Sequence, residues 1–90
     1  MHMNLYWDEQ KNILLKSTRN IWFEEIAHFI ENGGDYLIEA HPNAKKYPHQ
    51  HIICFKYRGY MIVVPCVSHA DGFFLKTIYP SRKMNKKHIF

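Results

Sequence analysis

The sequence predicts an α+β fold, a small antiparallel sheet of four to five strands with two N-terminal helices packed on one face. Two helical patterns lie in the first third of the chain, and three apolar, β-branched runs separated by turn residues fill the second half. The chain has 90 residues, of which 47% are hydrophobic, enough for one modest core. We therefore expect a single domain over residues 1–90, with a basic tail over 80–90.

The N-terminal part is predicted to form a strand and then two helices. Residues 4–7 are typical of a short strand, and Asp8 is a good N-cap for a helix over 9–16. A break is expected over 17–20. A second helix is predicted over 22–32, ended by the glycine pair that follows it. Its apolar residues recur at the spacing of one helix face: Phe23, Ile26, Ala27 and Ile30.

The rest of the chain is predicted to form strands. Residues 36–40 make one strand, and a loop over 41–48 carries two prolines and two lysines. A hairpin of 51–57 and 60–67 turns at Arg58-Gly59, where glycine supplies a positive φ. A turn over 68–72 precedes the last strand, 73–79.

The hairpin register determines which side chains face the helices. Pairing residue 57 with residue 60 places His51 opposite Cys66. Pro65 indicates an edge or a bulge near the end of its strand. The face predicted to cover the helices carries Ile53, Phe55, Tyr57, Tyr60, Ile62 and Val64.

Charge is divided unevenly along the chain. Residues 1–39 carry seven acids against three bases, whereas residues 40–90 carry nine bases against Asp71 alone. A basic face of this kind attracts an anionic partner such as RNA, DNA or an acidic protein. A solvated lysine-rich surface would give the same composition.

The C-terminal end carries the strongest cluster of candidate residues. The last strand ends at Pro80, and a basic segment follows with Arg82, Lys83, Lys86 and Lys87. Arginine binds phosphate through parallel hydrogen bonds, and lysines add point charges. A strand gives these cations a fixed origin, which suits polyphosphate binding, and a solvated tail is an equally good interpretation of the spacing.

The sequence predicts neither a metal nor a cofactor. His41, His49 and His51 could suggest a metal site, yet the chain has no compact C-x-x-C or H-x-x-x-H spacing. No phosphate-cradling glycine loop or nucleophile elbow occurs. His41 is instead a candidate for proton transfer, because imidazole titrates near neutral pH.

Cysteine use and hydropathy predict the compartment. Cys54 and Cys66 lie in apolar runs and are expected to be small core residues rather than a disulfide framework. No apolar run is long enough to span a bilayer, and the N-terminus lacks a signal-peptide pattern. We therefore expect a reduced, cytoplasmic setting.

Three stretches, in this order, resemble a known family. Trp7-Asp8-Glu9-x-Lys11-Asn12, Ile21-x-Phe23-Glu24-Glu25 and the closing strand into Ser81-Arg82-Lys83 resemble the BrnT-like toxins of bacterial type II toxin–antitoxin systems. The resemblance extends over residues 7–87. It implies a RelE-like ribonuclease fold and inhibition of translation by RNA cleavage. It also implies neutralisation by an antitoxin with a ribbon-helix-helix DNA-binding part, so that DNA is bound only through the complex.

The resemblance also suggests roles for residues. It places the family's lysine on Lys11 and its arginine on Arg82, whereas the Lys-His-Gly of many members is replaced here by Thr18-Arg19-Asn20. RNA cleaves itself once its 2′-OH is deprotonated, so the protein must align the backbone, stabilise the added charge and move protons. Candidate catalytic residues are Arg82, Lys11, Arg19, His41 and Tyr79, the last two for proton transfer. Candidate RNA-binding residues are Lys16, Lys45, Lys46, Lys83, Lys86 and Lys87.

Two other functions remain open from the residues alone. A non-catalytic nucleic-acid-binding module would share the basic face and bind RNA without cleaving it. A protein-interaction domain would use the same face for an acidic partner.

Overall fold

The structure, a computed structural model, describes residues 3–81. It has two helices and a mixed sheet, which confirms the α+β class. The helices are α1 (Glu9–Arg19) and α2 (Phe23–Glu31). The strands are β1 (Asn4–Trp7), β2 (Leu37–Ala40), β3 (Gln50–Tyr57), β4 (Tyr60–His69), β5 (Gly72–Leu75) and β6 (Tyr79–Pro80).

Helix α1 begins as predicted and ends later. The Asp8 carboxylate accepts a hydrogen bond from the Gln10 amide at 2.8 Å, the usual N-cap contact. The helix continues through the predicted break to Arg19, and Asn20 then takes a left-handed conformation with φ 54°. The expected break was wrong because the Thr18 hydroxyl donates to the carbonyl of Leu14 at 2.7 Å, which lets a polar residue remain helical.

A buried asparagine joins the two helices. Asn12 is only 4% exposed, and its Oδ1 accepts from the Phe23 amide at 2.7 Å. Its Nδ2 donates to Glu24 Oε1 at 2.6 Å. The first of these bonds satisfies one of the free amides at the start of α2, a helix whose N-cap, Trp22, makes no side-chain cap of its own. Asn12 therefore holds the first turn of α2 against α1.

The sheet is mixed rather than antiparallel. Its order is β1-β5-β4-β3-β2, and β6 pairs with β4 beyond the end of β5. The predicted antiparallel arrangement was wrong for one strand, because β1 runs alongside β5 in the parallel direction, and the sheet has six strands within residues 3–81 rather than four to five. Glycine at 72 permits this approach, since a Cβ there would lie 1.7 Å from the carbonyl oxygen of Asn4. The Asp71 carboxylate, just before β5, accepts a hydrogen bond from the Tyr6 hydroxyl of β1 at 2.6 Å and so also holds these two strands together.

The central hairpin has the predicted register. Tyr57 pairs with Tyr60, and His51 pairs with Cys66. Both turn residues have positive φ, 54° at Arg58 and 81° at Gly59, as in a type I′ turn. The hairpin is thus closed by the tightest turn that matches the twist of its strands.

The core lies between this hairpin and the helices. Phe23, Ile26 and Leu15 of the helices are buried with the inward residues of β3 and β4, and Phe29 stacks on Phe55 with ring centroids 4.7 Å apart. Among the residues predicted to face the helices, Tyr60 does not do so, because it is 61% exposed at the tip of the hairpin. The buried residues of this cluster are Leu15, Ile21, Phe23, Ile26, Ile53, Phe55, Ile62, Val64, Cys66, Leu75 and Ile78.

Pro65 explains why the predicted last strand is split. The Lys76 amide donates to the Pro65 carbonyl at 2.8 Å, but proline has no amide to complete the pair. Strand β5 therefore ends at Leu75, and pairing with β4 resumes only at β6, which contains Pro80. Pro65 lies inside the sheet, not on an edge strand. The register shifts by one residue there, from Cys66 opposite Leu75 to Val63 opposite Tyr79, which agrees with the predicted bulge.

Candidate functional site

A groove opens where the end of α1 meets the β3–β4 turn and β6. We call it the arginine groove; its volume is about 390 Å³. Two arginines and three tyrosines lie along it, above apolar walls. The lining residues are Arg19, Asn20, Ile21, Tyr57, Arg58, Tyr60, Ile62, Ile78, Tyr79 and Pro80.

Arg19 is held by a residue distant in sequence. It is the last residue of α1, and its Nη1 donates to the carbonyl oxygen of the buried Ile78 at 2.6 Å. A guanidinium has more donors than this bond uses. Arg19 is exposed, so its remaining donors can reach a ligand in the groove.

Arg58 is the second cation of the groove, and sequence reasoning did not select it. Its Nη1 donates to the Asn20 carbonyl at 3.2 Å, and its Nη2 forms an ion pair with Glu25 Oε2 at 2.6 Å. The guanidinium carbon also lies 5.1 Å from the centre of the Tyr57 ring. Half of the side chain, 51%, stays exposed. One signal could have identified it: arginine occupies a type I′ turn position that asparagine or glycine usually takes.

Glu25 connects Arg58 with Tyr57. The Tyr57 hydroxyl donates to the same Oε2 that accepts from Arg58. This hydrogen bond, with smaller contributions from burial and from the carboxylate charge, raises the pKa of Tyr57 above its usual 10.0. Glu25 Oε1 is shielded from solvent and accepts no hydrogen bond from any residue that the structure describes.

A second cleft adjoins the groove across Tyr57. We call it the aromatic–acidic cleft; its volume is about 460 Å³. The Lys16 ammonium lies 4.9 Å from the centre of the ring of Trp22, one of the residues that line this cleft. The lining residues are Trp22, Glu24, Glu25, His28, Phe29 and Tyr57.

Some predicted site residues meet here and others do not. Arg19 and Tyr79 both line the groove, but Tyr79 pairs with Val63, so alternation along the strand directs its side chain to the face away from the helices. Lys16 contacts Trp22, which lines the aromatic–acidic cleft, but does not line either cleft itself. Lys11 is half-buried on α1 and lines neither cleft.

The predicted residues of the 41–48 loop lie elsewhere. His41 lines a separate cavity of about 270 Å³, together with His51 and Lys76. Its Nδ1 accepts from the Asn43 amide at 3.0 Å. Lys45 and Lys46 are exposed on the same loop. The structure therefore does not bring His41 into the arginine groove.

The C-terminal cations Arg82, Lys83, Lys86 and Lys87 lie outside the described residues. The last residue described, Ser81, donates its amide to the Met61 carbonyl at 2.9 Å. The residues next to this hydrogen bond, Tyr60 before Met61 and Pro80 before Ser81, both line the groove. The described chain thus ends beside the arginine groove.

The cysteines take no part in either cleft. Both are buried thiols, as predicted. Burial raises the pKa of Cys66 to about 12 and that of Cys54 to about 11.

Within residues 3–81, no group of three or more His, Cys, Asp or Glu side chains is placed to hold a metal ion. None of the helices described is long and apolar enough to cross a membrane.

A known protein family matches most of the chain. Residues 16–80 match the family described as a domain of unknown function, DUF4258. The chain belongs to this family. The DUF4258 region includes α2, strands β2 to β6 and every lining residue of both clefts. No curated protein and no solved structure matches the chain.

Proposed function

We propose that this chain is a small, metal-independent endoribonuclease, the toxin of a type II toxin–antitoxin pair. One observation carries the proposal: Arg19 and Arg58, 39 positions apart, reach the same groove, at which the described chain ends. Paired guanidinium groups match the oxygens of a phosphodiester better than flexible lysines do. The resemblance to BrnT-like toxins supports the same conclusion.

The walls of the groove favour an electrostatic role for these arginines. Ile21, Ile62 and Ile78 line it and are at most 8% exposed. Charges interact more strongly beside such apolar walls than in water. The bond from Arg19 to Ile78 also limits the reorganisation needed when phosphate binds.

The chemistry then requires little else from the protein. In the cleavage step, the 2′-oxygen bonds to the adjacent phosphorus and the bond to the 5′-oxygen breaks. The 2′-hydroxyl proton passes to a base, and an acid protonates the leaving oxygen. We assign Arg82 to the charge on the phosphorane, with Arg19 and Lys11 positioning phosphates. Of the two acid–base candidates, Tyr79 lines the groove but directs its side chain to the face of the sheet away from the helices, and His41 lines a separate cavity.

The remaining parts of the proposal concern partner, fold type and compartment. We propose a RelE-like arrangement and a cytoplasmic location. An exposed cationic groove would bind cellular RNA indiscriminately unless a partner covers it when the protein is inactive. The cognate antitoxin, with a ribbon-helix-helix part, would lay an acidic segment or a helix across Arg82, Lys16 and Arg19.

Single-turnover RNA cleavage by purified protein tests the proposal. The parental protein should cleave RNA in the presence of a chelator, and Arg82→Ala should abolish cleavage while leaving the fold and antitoxin binding largely intact. Arg82→Lys should restore little, because it keeps the charge but loses the planar fork. Lys83→Ala, Lys86→Ala and Lys87→Ala should each weaken binding modestly and reduce its salt dependence.

Two results would contradict the proposal. RNA binding without cleavage by the folded parental protein would identify a non-catalytic nucleic-acid-binding module. Full cleavage by Arg82→Ala would show that the arginine assignment is wrong. Induced expression with and without the neighbouring gene gives the cellular counterpart: growth should stop only when that gene is absent.

A further inference from the structure

We infer that the aromatic–acidic cleft binds a guanine base of the RNA whose phosphate lies in the arginine groove. The assignment of the phosphate rests on the proposed function. The two clefts are adjacent, since Tyr57 lines both of them. Arg58 of the groove also lies 2.6 Å from Glu25 of the cleft, measured between Nη2 and Oε2.

The cleft has walls suited to a flat ring. Trp22, Phe29 and Tyr57 contribute aromatic surface, and its volume of about 460 Å³ has room for a purine. The Phe29 and Tyr57 rings meet edge to face at an interplanar angle of 80°, so the walls lie at an angle to each other. Proteins that hold single-stranded RNA commonly stack its unpaired bases on such side chains.

The polar groups of the cleft select among the bases. Ionised carboxylates such as Glu24 and Glu25 can only accept hydrogen bonds. Guanine presents an imino N–H and an amino group side by side on its Watson–Crick edge, which match a carboxylate. Adenine and cytosine place a ring-nitrogen acceptor beside their amino group, and uracil flanks its N–H with carbonyls, so each would set acceptor against acceptor.

Glu25 has an oxygen available for this contact. Its Oε2 accepts from both Tyr57 and Arg58, whereas Oε1 has no partner within residues 3–81. The terminal torsion of a glutamate is soft. Rotation about this torsion turns Oε1 toward the cleft and moves Oε2 with it, so a guanine bound to both oxygens replaces a hydrogen bond from Tyr57 or Arg58 to Oε2.

A basic side chain of a protein partner is the rival occupant of an acidic, aromatic cleft. Two cations already contact residues that line this cleft: Arg58 is paired with Glu25, and the Lys16 ammonium is 4.9 Å from the Trp22 ring centre. A third positive charge would be repelled by both. A neutral ligand with N–H donors meets no such repulsion, which favours a base.

Tryptophan fluorescence tests the inference without reference to cleavage. The chain has two tryptophans, and Trp7 stacks on Phe23 in the core, so a Trp7→Phe variant leaves Trp22 as the reporter. Titration with 3′-GMP should quench it saturably, with binding about tenfold tighter than that of 3′-AMP, 3′-CMP or 3′-UMP, as expected for a paired hydrogen-bond contact. Glu25→Gln should remove the preference, and Glu31→Gln, at an exposed position of the same helix, should retain it.

Several outcomes would overturn the inference. Equal binding of all four nucleotides by the Trp7→Phe protein, in which both clefts are intact, would contradict it, and so would binding of none of them. Tighter binding of arginine amide than of 3′-GMP would assign the cleft to a protein partner. Cleavage of RNA without guanine binding would remove this inference and leave the proposed function standing. Guanine binding without cleavage would contradict the proposed function and leave the guanine site standing.

Discussion

The cations of the arginine groove and those of the 41–48 loop differ in what holds them. Arg19 and Arg58 bond to the carbonyls of Ile78 and Asn20, residues far from them in sequence. In the loop, hydrogen bonds to side chains stay local: the Asn43 amide donates to His41 at 3.0 Å, and the Lys46 amide donates to the Asn43 side chain at 3.3 Å. The Lys46 ammonium lies 5.4 Å from the ring centre of its neighbour Tyr47. Long-range bonds hold a charge in place relative to the other walls of a site, which local bonds do not do.

The largest effect expected within this comparison concerns RNA cleavage. Arg19→Ala should lower single-turnover RNA cleavage by about a hundredfold, the usual loss when one aligned donor is removed. Lys45→Ala, which removes one exposed cation of the loop, should lower it less than about threefold. Equal losses in the two variants would show that charge alone matters and that the alignment of Arg19 does not.

Stability should show the same contrast at two asparagines. Asn12→Ala leaves the buried Phe23 amide without its partner and should lower the free energy of unfolding by about 2–3 kcal/mol. Asn43→Ala, in the exposed loop, should cost about 0.5 kcal/mol or less. Urea denaturation measures both, and the comparison requires unchanged m-values. A small loss for Asn12→Ala would mean that water replaces its bonds.

A smaller effect should appear at alkaline pH. The pKa of Tyr57 is raised in the folded protein, chiefly by its hydrogen bond to Glu25. This bond should stabilise the protein below the usual tyrosine pKa of 10.0, and the stabilisation should be lost as pH rises through the folded value. Absorbance titration of parental protein against Tyr57→Phe isolates this group, and Glu25→Gln should lower its pKa. An unchanged pKa in Glu25→Gln would remove the carboxylate as its cause.

The smallest expected effect concerns the loop lysines. Lys46→Ala should weaken RNA binding slightly and lower the slope of log affinity against log salt by about one or less, as for one phosphate contact. The matched measurement is Arg58→Lys, which keeps a charge in the groove and should weaken binding with little change in slope. A larger change in slope for Arg58→Lys than for Lys46→Ala would reverse the comparison.

Local signals predicted much of the fold. The Asp8 cap, the hairpin register from Tyr57 opposite Tyr60, and the burial of both cysteines follow from neighbouring residues and the alternation of a strand. The candidate site was predicted less completely. Arg19 was selected, whereas Arg58 and Glu25 were missed because nothing near either residue in sequence indicates that they form a pair.

The sequence by itself determined the α+β class, the two helices and the central hairpin, since caps, periodicity and turn residues act over a few positions. Only the tertiary structure decided that β1 runs parallel to β5, that Pro65 divides the last strand, and that Arg19 and Arg58 share one groove. Each of these depends on two backbones meeting across many residues: the bare glycine at 72 against Asn4, the missing amide of Pro65 opposite Lys76, and the end of α1 beside the hairpin turn. Such contacts depend on how the chain packs in three dimensions, which local sequence patterns do not specify.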